Sequence, residues 1–210
     1  MIKAVDVREL FTDKDTIIEI QNKLPKLFRI AEIESSRAGK QGMEVGSLKE
    51  KVIGGLLIYK FGEDNVDSEI PTTEPEIDIV VGNEKISIKT IKENGGVKAI
   101  WTVDAEKAKE FVENYKPRCN ILLAQTWWGK DKDSLFFIPL EVQKKILVFV
   151  GKERYFKLPK AGTNPRGVEF SKEAIQKMLQ HPKTLKMKIN WVQQNITYNV
   201  YERWVDFWRE

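Results

Sequence analysis

A chain of 210 residues with 41% apolar and 10% aromatic side chains suits one globular domain with a sizeable core and excludes a disordered segment. No run approaches the roughly 18 consecutive apolar residues of a membrane helix, and Met1 to Asp6 lack the apolar stretch of a signal peptide, so neither a membrane partner nor export is expected. The 35 basic and 31 acidic side chains leave a formal net charge of +4, which permits a polyanionic partner without demanding one.

Ile17, Ile18, Leu24, Leu27, Phe28 and Ala31 recur at helical spacing, which predicts a helix from Asp13 to about Ser36 with a kink at Pro25. Arg37 to Gly46 follows as a basic loop with three glycines. Ser47 is a natural N-cap for a second helix, which Val52, Ile53, Leu56, Leu57, Ile58 and Phe61 carry to Gly62. Asn65 to Pro75 reads as an acidic loop broken by Pro71 and Pro75. Glu76 to Thr90 alternates with period two on either side of Gly82-Asn83, the pattern of a β-hairpin. A helix is predicted over Ala105 to Tyr115, then strands over Asn120 to Trp127 and Leu135 to Ile138. A helix is predicted over Phe170 to Gln180 with Ser171 as its cap, then a strand over Lys186 to Trp191. An amphipathic helix over Val200 to Trp208 closes the chain, with Tyr201, Trp204 and Trp208 on a face read as core or dimer contact. The expected fold is a single α/β domain over residues 1–210, with a mixed central β-sheet flanked by helices.

With a two-residue turn at Gly82-Asn83, Val81 pairs with Glu84, Ile79 with Ile86 and Asp78 with Ser87. Glu76, Asp78, Val80, Ser87 and Lys89 then share one face, while Ile77, Ile79, Val81, Ile86 and Ile88 form the core face. An aspartate beside a lysine suits phosphodiester hydrolysis. The carboxylate is a hard ligand for Mg²⁺, and the ammonium can orient a water and stabilise charge at phosphorus. With one histidine, His181, and one cysteine, Cys119, a zinc site or a histidine-based triad is close to excluded. The lone cysteine also suits the reducing cytoplasm. The same Asp78–Lys89 pair fits a solvated cross-strand ion pair equally well, and the residues alone leave both readings open.

This hairpin resembles that of the PD-(D/E)xK nuclease superfamily, with one departure: position 87, two before Lys89, is serine rather than an acid. Some members of that superfamily carry a glutamate on the preceding helix, and Glu50 matches it, on the stripe of Ile53, Gly54 and Leu57. Ser47-Leu-Lys-Glu50 also reads as a capping box, which would give Glu50 a purely local role. The spacing of Met43, Glu50, Asp78 and Lys89 is similar to the ThaI-type restriction endonucleases, over Arg37 to Lys92. That resemblance implies catalysis by Glu50, Asp78 and Lys89, with Glu50 and Asp78 holding Mg²⁺. It also implies a homodimer without organic cofactor that cleaves double-stranded DNA at the palindrome CGCG.

Met43 lies in the basic loop, where it serves either as a loop anchor or as a wedge between base steps. Arg37, Lys40 and Gln41 beside it suit phosphates or base edges. Lys160 to Gly167 is a second basic loop, in which Asn164 and Arg166 are candidates for base contacts. Trp127-Trp128 reads as a strand end packed on the core. The leading expectation is a type II restriction endonuclease. The alternatives are a structure-specific nuclease such as a Holliday-junction resolvase, and a non-catalytic DNA-binding module.

Overall fold

Two helices open the chain in the computed structural model, which describes residues 5–37, 40–41, 44–71, 74, 76–102, 104–158 and 167–209. They are α1 (Glu9–Thr12) and α2 (Lys14–Glu34). The helix α2 continues unbroken past the buried Pro25, which lies beside the buried Leu24 on the stripe of Ile20 and Phe28. The expected basic loop contains a two-rung antiparallel ribbon, β1 (Ser36–Arg37) and β2 (Lys40–Gln41), with Ser36 opposite Gln41. Helix α3 spans Val45–Phe61. Its N-cap position is Glu44 rather than Ser47, so Ser47 lies inside the first turn and the expected capping box does not form.

A 3₁₀ turn at Glu63–Asn65 leads into β3 (Val66–Asp67), so the stretch expected as loop carries a short edge strand. The hairpin is β4 (Ile79–Val81) and β5 (Glu84–Lys92), in the predicted register of Ile79 to Ile86 and Val81 to Glu84. Gly82 turns it with φ 57°, the positive value that a tight hairpin asks of its first turn residue.

The rest of the chain alternates strands and helices. In order these are β6 (Val97–Ile100), α4 (Ala105–Asn114), β7 (Asn120–Thr126), β8 (Asp131–Ile138) and α5 (Leu140–Val150). Then follow α6 (Lys152–Tyr155), β9 (Phe156–Lys157), β10 (Val168–Phe170), α7 (Lys172–Gln180), β11 (Leu185–Asn190) and α8 (Glu202–Arg209). Ser171 caps α7 as expected, its hydroxyl accepting the Ala174 amide at 3.0 Å.

The central sheet has the order β11-β8-β7-β5-β4-β3, with β5 and β7 parallel and every other pair antiparallel. A second sheet of three short strands runs β6-β10-β9. Strand β7 explains why the domain needs helices on both faces. Its Leu122 and Ala124 join a core with Phe28, Ile53 and Leu57 of α2 and α3, whereas Ile121 and Leu123 join one with Val142, Ile146 and Met178 of α5 and α7. Trp127 is buried, as its place at the end of β7 predicts. The aromatic face of α8 is not core. Tyr201, Phe207 and Trp208 are exposed, the last by 91%. No helix of the described chain is long and apolar enough to cross a membrane.

Helix α3 is fastened to α2 at both ends. Near its start, Lys49 donates to Glu32 at 2.7 Å, the two side chains being 7% and 1% exposed. Trp128 Nε1 donates to the same carboxylate oxygen at 3.0 Å, and Ser35 and Ser36 donate to the Glu32 carbonyl at the base of the ribbon. Burial holds the Lys49 ammonium below the usual lysine range, with Glu32 opposing. Removing one member of such a pair strands the other charge in the interior. Lys49→Met is expected to lower unfolding free energy by about 3 kcal/mol in urea titrations.

At the other end, Lys60 donates to Asp13, which also accepts from Thr16. These bonds, the one from Lys60 foremost, hold the Asp13 carboxyl at about 2. A carboxyl whose folded value lies below its unfolded one stabilises the fold above the unfolded value and loses that effect as pH falls. Asp13→Asn should therefore melt below the parent at pH 6, and the two melting temperatures should converge as pH is lowered from about 4 towards 2.

Candidate active site

The backbone bonding of the hairpin ends one residue before the start of β4. Asp78 makes the last backbone rung, its amide donating to the Ile86 carbonyl at 3.0 Å. The next rung is made by a side chain: the Ile88 amide donates to Asp78 Oδ2 at 2.7 Å. A buried strand amide needs an acceptor, and this carboxylate supplies one just where the two strands part. Glu76 was expected on the same strand face, but it lies before β4 and is not part of the ladder. Its carbonyl accepts from the Cys119 thiol at 3.4 Å. Burial raises its carboxyl, with Arg118 and Lys89 opposing.

The same Oδ2 accepts from Ser87 Oγ at 3.2 Å and from Lys89 Nζ at 3.3 Å. Ser87 is thus a hydrogen-bond donor to the acid, in the position where the superfamily pattern has an acid of its own. Lys89 is 15% exposed and Asp78 33%. The two form a partly sheltered cross-strand ion pair at the edge of the cleft.

Glu50 reaches the same place from the other element. It sits in the second turn of α3, one turn from the buried Ile53, and Thr90 Oγ1 fastens that turn to β5 by donating to the Gly46 carbonyl at 3.3 Å. Glu50, Asp78 and Lys89 all line one cleft of about 490 Å³. Burial pushes the Glu50 carboxyl up to about 7, with Lys89 opposing and Asp78 reinforcing. So the three side chains that the family resemblance implies are brought to one cleft, and Glu50 is not spent on a helix cap.

The donor set fits a magnesium ion. Both acids are hard oxygen ligands, and all three bonds to Asp78 fall on Oδ2, leaving Oδ1 without a hydrogen bond among the described residues. No cluster of three or more metal-ligating side chains occurs among the described residues. Two carboxylates suit Mg²⁺, which keeps several waters and takes its remaining ligands from phosphate, better than they suit a fully protein-caged ion.

The predicted DNA contacts are described less fully. Arg37, Lys40 and Gln41 fall on the β1–β2 ribbon. Met43, Asn164 and Arg166 lie outside the described residues. The lining from Gly96 to Trp101 has no counterpart in the sequence reading; it includes Lys98 on β6 and Trp101 just after it. Their signal was the alternation Val97-Lys98-Ala99-Ile100-Trp101 after Gly95-Gly96, a strand too short to stand out without its partner β10.

A mixed sheet covered on both faces, with an acid and a lysine at a parting hairpin and a second acid from the preceding helix, defines a nuclease of the restriction-endonuclease type. The comparisons agree with that class. The family model of restriction endonuclease ThaI matches residues 10–210. A solved structure described as a restriction endonuclease in complex with substrate DNA is 49% identical, with a TM-score of 0.89 over 97% of this chain and 98% of that one. No curated protein matches the chain. The chain belongs to the ThaI restriction endonuclease family.

The raised Glu50 carboxyl means that its charge is poorly compensated when no cation is bound. In chelator at pH 8, Glu50→Gln removes that cost and is expected to melt about 2 °C or more above the parent. A lower melting temperature would show that the negative charge is already neutralised by protein groups.

Proposed function

We propose that this protein is a type II restriction endonuclease, hydrolysing both strands of duplex DNA with Mg²⁺ at the palindromic, CG-rich sequence CGCG. The observation that carries the proposal is the convergence of Glu50, Asp78 and Lys89 on one cleft where the hairpin parts. The family and the DNA-bound relative support a duplex substrate.

In this reading the Asp78 Oδ1 and the Glu50 carboxylate hold the ion, while Ser87 and the Ile88 amide fix the orientation of Asp78 through its other oxygen. Mg²⁺, when bound, supplies Lewis-acid stabilisation of the scissile phosphate and acidifies a water. Lys89 needs no large movement to act. Its ammonium, already sheltered beside Asp78, donates to the phosphoryl oxygens as negative charge builds there and orients the attacking water.

Cutting both strands of a palindrome calls for two identical sites related by a two-fold axis, so the working form is a homodimer. Arg37, Lys40, Gln41 and Met43, on and beside the β1–β2 ribbon, and Asn164 and Arg166, in the segment before Gly167, are the assigned DNA contacts. The cytoplasm, where cellular DNA is met and the buried Cys119 stays reduced, is the expected location.

The test is incubation with plasmid DNA and Mg²⁺, followed by sequencing of the fragment ends. Cleavage at CGCG, abolished by chelator, is the expected outcome; cleavage confined to branched junctions, or none, would overturn the proposal. Asp78→Ala should abolish cleavage while duplex binding persists. Lys89→Met should slow single-turnover cleavage by at least about 100-fold to 1,000-fold, the scale of losing one transition-state donor.

A further inference from the structure

One part of the cleft lining is unused by the chemistry above. Strand β6 contributes Lys98, and the residue after the strand is Trp101, which is 72% exposed. Other large aromatics are exposed elsewhere, but among the described residues Trp101 is the aromatic that lines the cleft shared by Glu50, Asp78 and Lys89. Most of the indole faces water, and a cation lies beside its ring. That cation is the Lys98 ammonium, 5.1 Å from the ring centroid.

The wall is rigid. Val97, Lys98 and Ile100 pair with Phe170, Glu169 and Val168 of β10. Next to that ladder Gly167, at φ 102°, brings its backbone so close to Ile100 that a Cβ there would sit 2.1 Å from the Ile100 carbonyl oxygen. Trp101 therefore follows a strand end packed closely against the Gly167 backbone. The charge beside it is also positive on balance. Glu169 is shared by two ammonium groups, Lys98 at 2.8 Å and Lys157 at 3.3 Å, so the triad carries one unneutralised positive charge. A preorganised aromatic face beside a cation, in a cleft whose acids need a divalent ion, has the chemistry that recognises a nucleotide: ring against sugar and base, ammonium against phosphate.

We propose that Trp101 and Lys98 form a nucleotide-binding wall of the active cleft. The indole packs on the deoxyribose and base of the nucleotide adjoining the scissile phosphate, and the Lys98 ammonium meets a neighbouring backbone phosphate. The inference rests on the endonuclease reading of the cleft and adds to it a residue pair that grips the strand being cut.

The experiment uses the full chain and a duplex oligonucleotide bearing the sequence at which wild-type protein cuts plasmid DNA. Affinity is measured in Ca²⁺ and single-turnover cleavage in Mg²⁺. Trp101→Ala should weaken binding about tenfold or more, the scale of one lost stacking contact, while Trp101→Phe stays within about threefold because it keeps a π face. Melting temperature should stay put in both, since the ring is exposed. Lys98→Met should lower the slope of log affinity against log salt by about one, whereas Trp101→Phe leaves it unchanged.

Wild-type affinity and rate in Trp101→Ala would overturn the inference, and so would an altered sedimentation coefficient with normal DNA affinity, which would assign the indole to a second copy of the chain. The two readings fail separately. No wild-type cleavage sinks the nuclease assignment and this wall with it, whereas wild-type cleavage with an indifferent Trp101→Ala sinks the wall alone.

Discussion

Where β4 and β5 part, the Ile88 amide would face the sheet interior with no backbone acceptor, and the Asp78 carboxylate takes it at 2.7 Å. An unmade bond there would cost about 1–3 kcal/mol, a cost that the Asp78 carboxylate removes where the strands separate. Everything in the site follows from the parting. It opens the cleft, it holds one oxygen of Asp78 against the backbone while leaving the other outward, and it brings Lys89 alongside. A hairpin zipped one rung further would have a surface ion pair in place of a site.

The helix that supplies the second acid is held with comparable care. Lys49 and Glu50 are neighbours on α3 with opposite duties: the lysine points into the buried network of Glu32 and Trp128, the glutamate into the cleft. Asp13 holds the far end of α3 through Lys60. Because Ser35 and Ser36 bond to the Glu32 carbonyl, the same network also carries the foot of the β1–β2 ribbon. One buried carboxylate thus braces both the helix bearing the proposed active-site acid and the ribbon bearing proposed DNA contacts. A site built on fastened helices and strands keeps its geometry better than one built on loops.

The small sheet plays a matching part on the other side of the cleft. Strand β6 lines the cleft through Lys98, and its partner β10 begins directly after Gly167, at the end of the segment that carries Asn164 and Arg166. Glu169 joins Lys98 to Lys157 across that sheet.

Sequence by itself determined the elements whose pattern is local and strongly periodic. These are α2, α3, α7, the hairpin with its register, and the buried strand β7, because side-chain period and turn chemistry are properties of neighbouring residues. The spacing of Glu50, Asp78 and Lys89 belonged to the same layer, and resemblance to a known family gave it meaning. Tertiary structure decided what depends on partners distant in the chain. The start of α3 moved to Val45, so Ser47 lost its cap and Glu50 was freed for the cleft. Helix α5 passed unread because Leu140 to Val150 is apolar on more than one face, and β6, β9 and β10 were too short to register without each other. The aromatic face of α8 looked like core because periodicity reports which residues share a face, never whether anything covers it. Trp101 escaped notice for the same reason: cleft walls are made by segments that meet only when the chain is folded.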